Sequence, residues 1–389
     1  MFKQNRVYLD YAATTPVDPS VVEAMLPYFS GAFGNPSSTH LFGQQAEAAV
    51  ENAREGIAEL LSCQPNEVIF TSCGSESDNL ALRGAAFAAR KERGANRILI
   101  SPVEHHAVSH TAQQLADEHG FELEFLPVDE YGCVSPADAS RSIRDDTAIV
   151  SVIFANNEIG TINPIADIGA ICREKGVPLH TDAVQAAAHL PIDVDELNVD
   201  LLAIGAHKFH GPKGVGALYV REGTTLLPTQ TGGGQEFSLR AGTQNVPYIA
   251  GMVKAFEMAQ AGVEKHRAHL EPLRDRIIEE ILGAIPNVKL TGHPTERLPN
   301  HASFVFQGLD GNALLMALDV EGFACSSGSA CKTGDPEPSD VLVALGFERD
   351  WALGSLRVSI GRDTTAENID DFLDALPGVV ERTRAVAFA

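Results

Sequence analysis

Lys208 sits in the stretch Ala206-His207-Lys208-Phe209-His210-Gly211-Pro212-Lys213-Gly214, and Asp182 follows an apolar run from Val177 to Thr181. A lysine amine condenses with an aldehyde as a Schiff base, and a carboxylate keeps a pyridine nitrogen protonated so that the ring accepts electrons. Together they are what an enzyme using pyridoxal phosphate (PLP) requires for carbanion chemistry on an amino acid. Either residue alone carries little weight, because most lysines are simply solvated. A third feature supplies an anion site: Val68-Ile69-Phe70-Thr71 runs through Ser72-Cys73-Gly74-Ser75 into a helical stretch beginning at Glu76. A strand, a small-residue turn and a helix N-terminus offer unpaired N–H groups and a favourable dipole, so Gly74 and Ser75 are candidates to hold a phosphate. The pairs His180-x-Asp182 and His207-x2-His210 also have the look of metal ligands in a hydrolase, a reading that leaves Lys208 and the glycine turn without a role.

These residues need a frame. Asp18-Pro19 marks a helix start toward Phe29, and Ala49, Val50, Ala53, Ile57, Leu60 and Leu61 recur at helical spacing between Gln44 and Leu61. Apolar runs at Val68–Phe70, Arg97–Ile100, Phe121–Leu126, Ala148–Phe154, Val177–Thr181 and Leu201–Ile204 alternate with helix-like stretches. That alternation predicts an α/β fold with a largely parallel sheet covered on both faces. Near Gly262 the pattern changes to a long charged helix through Ile281 and then shorter mixed elements, which predicts a second, smaller α+β domain. The segment from Cys325 to about Ser339 lacks periodicity; loops of that length in compact domains are commonly functional.

Composition limits the alternatives. The 389-residue chain exceeds one typical hydrophobic core, and its formal charge of −23 argues against nucleic acid and anionic membranes as partners. No apolar run approaches the length that spans a bilayer, and Met1–Arg6 shows no apolar leader, so the expected location is cytoplasmic. Cysteines at 63, 73, 133, 172, 325 and 331 are too sparse for a disulfide framework and are expected to be reduced thiols.

Seven motifs then occur in order: Gly34-Asn35-Pro36-Ser37-Ser38, Ser75-Glu76-Ser77-Asp78-Asn79, Glu104-His105, Asn156-Asn157-Glu158-Ile159-Gly160, His180-Thr181-Asp182-Ala183-Val184-Gln185, His207-Lys208 with Gly211-Pro212-Lys213-Gly214, and Ser326-Ser327-Gly328-Ser329-Ala330-Cys331. The chain resembles the cysteine desulfurases over nearly its whole length, and the last motif resembles their long-loop NifS/IscS group. The resemblance implies a fold-type I PLP-dependent transferase, a homodimer, and conversion of L-cysteine to L-alanine with the sulfur left as a persulfide. It divides the chain into a large PLP-binding domain, 16–262, and a small domain of 1–15 and 263–389. A selenocysteine lyase, or another PLP enzyme of the same fold, is the alternative; a non-catalytic sulfur carrier would not need the full cofactor set.

By this resemblance Lys208 holds the cofactor and moves protons, Asp182 faces the ring nitrogen, and His105 stacks on the ring and shuttles protons. Asn156 and Gln185 donate to the phenolic oxygen; Gly74, Ser75, Gly205 and His207 surround the phosphate, and Thr243 reaches the phosphate of the neighbouring subunit. Arg357 grips the substrate carboxylate, a task suited to a guanidinium fork, with Asn156 and Asn35 in support. Cys331 is the expected nucleophile and persulfide carrier; no resident metal is implied, although Cys331 is also a candidate transient ligand to an iron–sulfur cluster shared with a scaffold. Cys325 is expected to pack, with a relay role as the alternative. Two positions depart from the pattern: Gly205 stands where many relatives have a phosphate-binding serine, and Phe237 where arginine is common. The chain ends at Ala389 without the longer tail by which housekeeping relatives engage an iron–sulfur scaffold, so that sulfur acceptor is not assumed.

Overall fold

A computed structural model describes residues 6–328 and 337–387. The strands are β1 (Val7–Tyr8), β2 (Val68–Thr71), β3 (Arg97–Ile100), β4 (Glu122–Phe125), β5 (Thr147–Ser151), β6 (Leu179–Asp182), β7 (Leu201–Gly205), β8 (Gly216–Val220), β9 (Val288–Leu290), β10 (His301–Phe306), β11 (Phe323–Ala324) and β12 (Ser355–Ser359). Seven of them form one sheet in the order β2-β8-β7-β6-β5-β3-β4. The ladders from β7 through β6, β5 and β3 to β4 are parallel, whereas β8 runs antiparallel between β2 and β7. The short run Gly216-Ala-Leu-Tyr-Val220 is a strand that the sequence analysis does not include, although its apolar residues bounded by a Gly-rich turn carry the signal.

Alternation along the strands assigns the two faces. Val68, Phe70, Leu202, Ile204, Ala217 and Tyr219 point into one hydrophobic cluster, and Ile69, Leu201, Leu218 and Val220 into another. Helices Leu41–Leu61 and Ile165–Lys175 cover the first face through residues such as Val50, Ile57 and Ile168. Helices Gly74–Arg93 and His106–His119 cover the second through Leu80, Leu82, Val108 and Leu115. The helix expected from Asp18 is two short ones, Pro19–Met25 and Pro27–Ser30; Asp18 Oδ1 does cap the first by accepting from Ser20 N at 2.8 Å, and Pro27 starts the second.

A separate cluster forms around the antiparallel sheet β12-β10-β9, with Phe304, Phe306, Leu356, Val358 and Phe372. The long helix begins earlier than the sequence suggested, running 39 residues from Val246 to Ala284. Its first half, through Ala259, packs in the cluster under the large sheet; Leu270, Ile277 and Ile281 pack in the second cluster. Residue 262 therefore falls inside a continuous helix that joins the two cores. The N-terminal strand pairs with β11, and Leu9 is buried in the second cluster, so the chain starts there before crossing to the large sheet.

Candidate active site

The carboxyl ends of the parallel strands converge, which is where open α/β sheets bind ligands. Asp182 ends β6, Gly205 ends β7, and Lys208 follows in the next turn. They open onto a cleft of about 250 Å³ lined by residues that include Ala12, Ala13, Gly74, Ser75, Asp78, His105, Asn157, Asp182, Gln185, His207, Lys208 and Arg357. Residues from both clusters' elements thus meet at one site, Arg357 arriving on β12.

The turn after β2 is built by close packing. Gly74 opens the 20-residue helix Gly74–Arg93, whose first-turn N–H groups have no intrahelical partners, and Cys73 at the N-cap supplies no side-chain bond. A Cβ on Gly74 would meet Val184 Cγ2 at 2.6 Å, so the glycine is a steric requirement of this turn. Upstream, Glu236 fixes the end of β2: its buried carboxylate accepts from Arg54 Nη1 and Nη2 at 2.9 and 3.0 Å and from Phe70 N at 2.8 Å. That anchor holds three consecutive left-handed residues, Glu236, Phe237 and Ser238, and leaves Phe237 exposed under the Arg54 guanidinium, 5.0 Å from its ring centroid.

At the other end Asp182 is 5% exposed and accepts from Val184 N at 2.9 Å. Burial pushes its carboxyl upward, opposed by His105, the Val184 N–H and Lys208. A protonated pyridine nitrogen is the countercharge this site needs to keep Asp182 ionised, which is one observation by which the residues fit PLP. The neighbouring carboxyls differ: Asp78 and Glu104 are buried and pushed well above the usual carboxylate range, by burial first and then by Asp182. His180 is driven down to about 3 by burial, its Nδ1 2.9 Å from Ser151 Oγ and its Nε2 3.4 Å from Asp78. His105 caps helix His106–His119, its Nδ1 accepting from Ala107 N at 3.1 Å, so the neutral ring carries its proton on Nε2. Capping and a place in the cleft therefore coexist in one residue.

Lys208 donates from Nζ to Ala12 O at 2.6 Å and Ala13 O at 2.9 Å, and its amine is pushed down to about 8 by burial and then by Arg357. Gln185 Nε2 donates to the same Ala12 carbonyl at 2.8 Å. His207 is driven down to about 4, chiefly by burial, and pairs through Nδ1 with Thr14 Oγ1 at 3.2 Å. The histidine pairs that resembled metal ligands are not brought together; among the described residues the group that could gather on an ion is Asp78, His105 and Asp182, inside this same cleft.

One expectation is corrected. Asn156 does not face the cleft: it is fully buried, its Nδ2 donates to Val103 O at 2.7 Å, and its Oδ1 accepts from Glu158 N and Ile159 N. The amide of Asn156 closes the turn, and Asn157 is the residue that lines the cleft. Asn35 and Thr243 are exposed and lie outside the lining within one chain, Asn35 Oδ1 accepting from Ser37 N at 2.9 Å. Gly205 has extended backbone, φ −137, and a Cβ there would sit 3.4 Å from Gly74 N, so this departure lies directly behind the Cys73–Gly74 turn. Cys325 packs beside the second cluster and burial pushes its thiol above the ordinary range. Cys331 lies outside the described residues.

With this geometry in view, the sequence matches the aminotransferase class-V family over residues 7–372. The chain belongs to that family. Among class-V relatives, the cysteine desulfurase IscS of Methanosarcina thermophila is 50% identical over 378 residues, covering 97% of this chain and 93% of its own. The solved structure of a NifS-like protein superposes with a TM-score of 0.89 at 36% identity, covering 97% of this chain and all of the other. A structure of SspA in complex with cysteine superposes with a TM-score of 0.78 at 35% identity, covering 91% of this chain and 98% of the other. This class-V chain therefore has the fold-type I architecture, a mostly parallel sheet flanked by helices.

Proposed function

We propose that the protein is a PLP-dependent cysteine desulfurase that converts L-cysteine to L-alanine and carries the sulfur away as a persulfide on Cys331. The observation that carries this reading is the convergence of Lys208, Asp182, His105 and Arg357 on one cleft, in a chain half identical along its length to a cysteine desulfurase. When bound, the cofactor supplies an aldehyde for the substrate amine and a ring that accepts electrons from the α-carbon. Lys208 would hold it covalently, and as a free amine, with its proton affinity lowered toward neutrality, it would take the α-proton and return a proton to the product. Asp182 would pair with the ring nitrogen, the first turn after Cys73 would take the phosphate, and Gln185 and Asn157 would serve the phenolic oxygen. Arg357 binds the substrate carboxylate through its fork. The Cys331 thiolate attacks the substrate sulfur, forming the S–S bond as the C–S bond breaks.

In this reading 16–262 forms the large domain and 1–15 with 263–389 the small one, supported by the separate clusters under the seven-stranded sheet and around β10 and β12. A homodimer is supported by the exposed apolar side chains Leu26, Phe29, Phe33, Leu41 and Phe42, close in sequence and with Phe33 and Phe42 in ring contact, and would bring Thr243 to the partner's phosphate. Among the described residues no helix is long and apolar enough to cross a membrane; we place the enzyme in the cytoplasm, with a sulfur-acceptor protein, such as an iron–sulfur scaffold, as its partner. The test is PLP-loaded protein with L-cysteine. We expect stoichiometric alanine and a trappable persulfide, both lost in Cys331→Ser while cofactor absorbance is kept, and near-normal turnover in Cys325→Ser. Turnover in Cys331→Ser that Cys325→Ser lacks would move the nucleophile to Cys325.

A further inference from the structure

We propose that Asp10 is a positioning residue for the substrate carboxylate, acting through Arg357; the inference rests on the reading of the cleft as an amino-acid site. Arg357 Nη2 donates to Asp10 Oδ1 at 2.8 Å and Nη1 to Asn157 O at 2.9 Å, with the residue 6% exposed and Nε buried without a partner among the described residues. A guanidinium has five N–H groups, so these two bonds leave three, the Nε–H among them, from which a carboxylate can take a bidentate pair. The Asn157 carbonyl alone would not prevent rotation of the fork, because it also accepts from His301 Nε2 at 3.1 Å and is a neutral acceptor.

Backbone pairing fixes where Asp10 stands. It bridges Ser359, two residues beyond Arg357 on β12, and is flanked by Ser359 N donating to Leu9 O at 2.9 Å and Tyr11 N donating to Ser359 O at 3.1 Å. Ala12 N then donates to Ser359 Oγ at 2.9 Å. The same strap continues to the carbonyls of Ala12 and Ala13, which accept from Lys208 Nζ. Residues 10–13 therefore set the spacing between the cation that takes a carboxylate and the amine that works at the adjacent carbon. An α-amino acid presents those two groups on one atom, so the spacing selects for it.

Holoenzyme of wild type, Asp10→Asn and Asp10→Glu is titrated with L-alanine, which has the amine and carboxylate but no transferable sulfur, and with ethylamine, which lacks the carboxylate; bound-cofactor absorbance is the readout. Loss of one charge-assisted contact predicts an apparent Kd for L-alanine raised about 10-fold or more in Asp10→Asn, with ethylamine within about twofold of wild type. Asp10→Glu, with the charge shifted by one methylene, keeps the fold where the amide fails and shows the same selective weakening. Unchanged or tighter L-alanine binding, or equal weakening of both ligands, overturns the proposal: the first makes Asp10 a competitor or bystander, the second a purely structural part of the strap. A wild-type holoenzyme that binds L-alanine yet forms no persulfide from L-cysteine would overturn the desulfurase reading while leaving the role of Asp10 intact.

Discussion

Replacing Gly205 with serine tests the phosphate end of the site. Its φ of −137 and ψ of 122 lie in the region any residue adopts, so serine introduces no backbone strain. A Cβ at 205 meets Gly74 N at 3.4 Å and the Val184 methyls at 3.6 and 3.7 Å, which is contact with at most a few tenths of an ångström of adjustment. The hydroxyl would then lie beside the turn proposed to hold the phosphate. A hydrogen bond to a charged group is worth about 1.5–3 kcal/mol, or roughly 10- to 150-fold in affinity, so Gly205→Ser should slow PLP loss by about that factor. The assay follows bound-cofactor absorbance after dilution into a trap for free PLP. Gly216, paired with Gly205 across β7 and β8, is the contrast: its Cβ would meet the Cys73 carbonyl carbon at 2.7 Å and Ile204 O at 2.8 Å. Gly216→Ala must push the Cys73–Gly74 turn and should speed cofactor loss. Unchanged or faster PLP loss in a folded Gly205→Ser protein refutes the argument and means the existing N–H groups already satisfy the phosphate.

Two further outcomes follow from the turn after β5. Asn157→Ala should weaken PLP retention with little change in melting temperature, whereas Asn156→Ala strands Val103 O and the Glu158 and Ile159 N–H groups and should cost about 2–4 kcal/mol in denaturant unfolding; the reverse pattern would restore Asn156 to the cleft. Glu158, bonded by the Ser339 hydroxyl, is pushed up to about 7 by burial. Its folded pKa exceeds its unfolded one, so the native state holds the extra proton and stability declines as pH rises between about 4.5 and 7. Glu158→Gln should therefore be more stable than wild type by about 1–3 kcal/mol at pH 8, after allowance for partial solvent screening, and equal to it near pH 4.5. An equal offset at both pH values would remove the carboxyl as its cause.

Much of the frame was legible because it depends on neighbours along the chain. Continuous apolar runs alternating with helical stretches gave β2 to β7, the Asp18-Pro19 pair gave a capped helix, and the small residues at 72–75 gave the turn after β2. The start of the long helix is hidden because Val246–Ala259 is mostly buried core with Lys254 and Glu257 as its charged residues, whereas the half beyond 262 is dense in charges. The antiparallel direction of β8 depends on which strands it joins, information that no local window holds.

At the site, the sequence by itself determined which groups are on hand: an amine at 208, a carboxylate at 182, a small-residue turn at 74–75 and a guanidinium at 357 are residue types at fixed places, whatever the fold. Tertiary structure decided which groups act together. Asn156 and Asn157 are equivalent as letters, and only the closing of a turn against the Val103 carbonyl, 53 residues earlier, uses one amide and frees the other. Asp10 and Arg357 are 347 residues apart and meet because the N-terminal strap docks along β12. Hydrogen bonds and charge pairs act within about 3 Å, whereas sequence patterning reports only on residues a few positions apart, so contacts of this kind are fixed by packing alone.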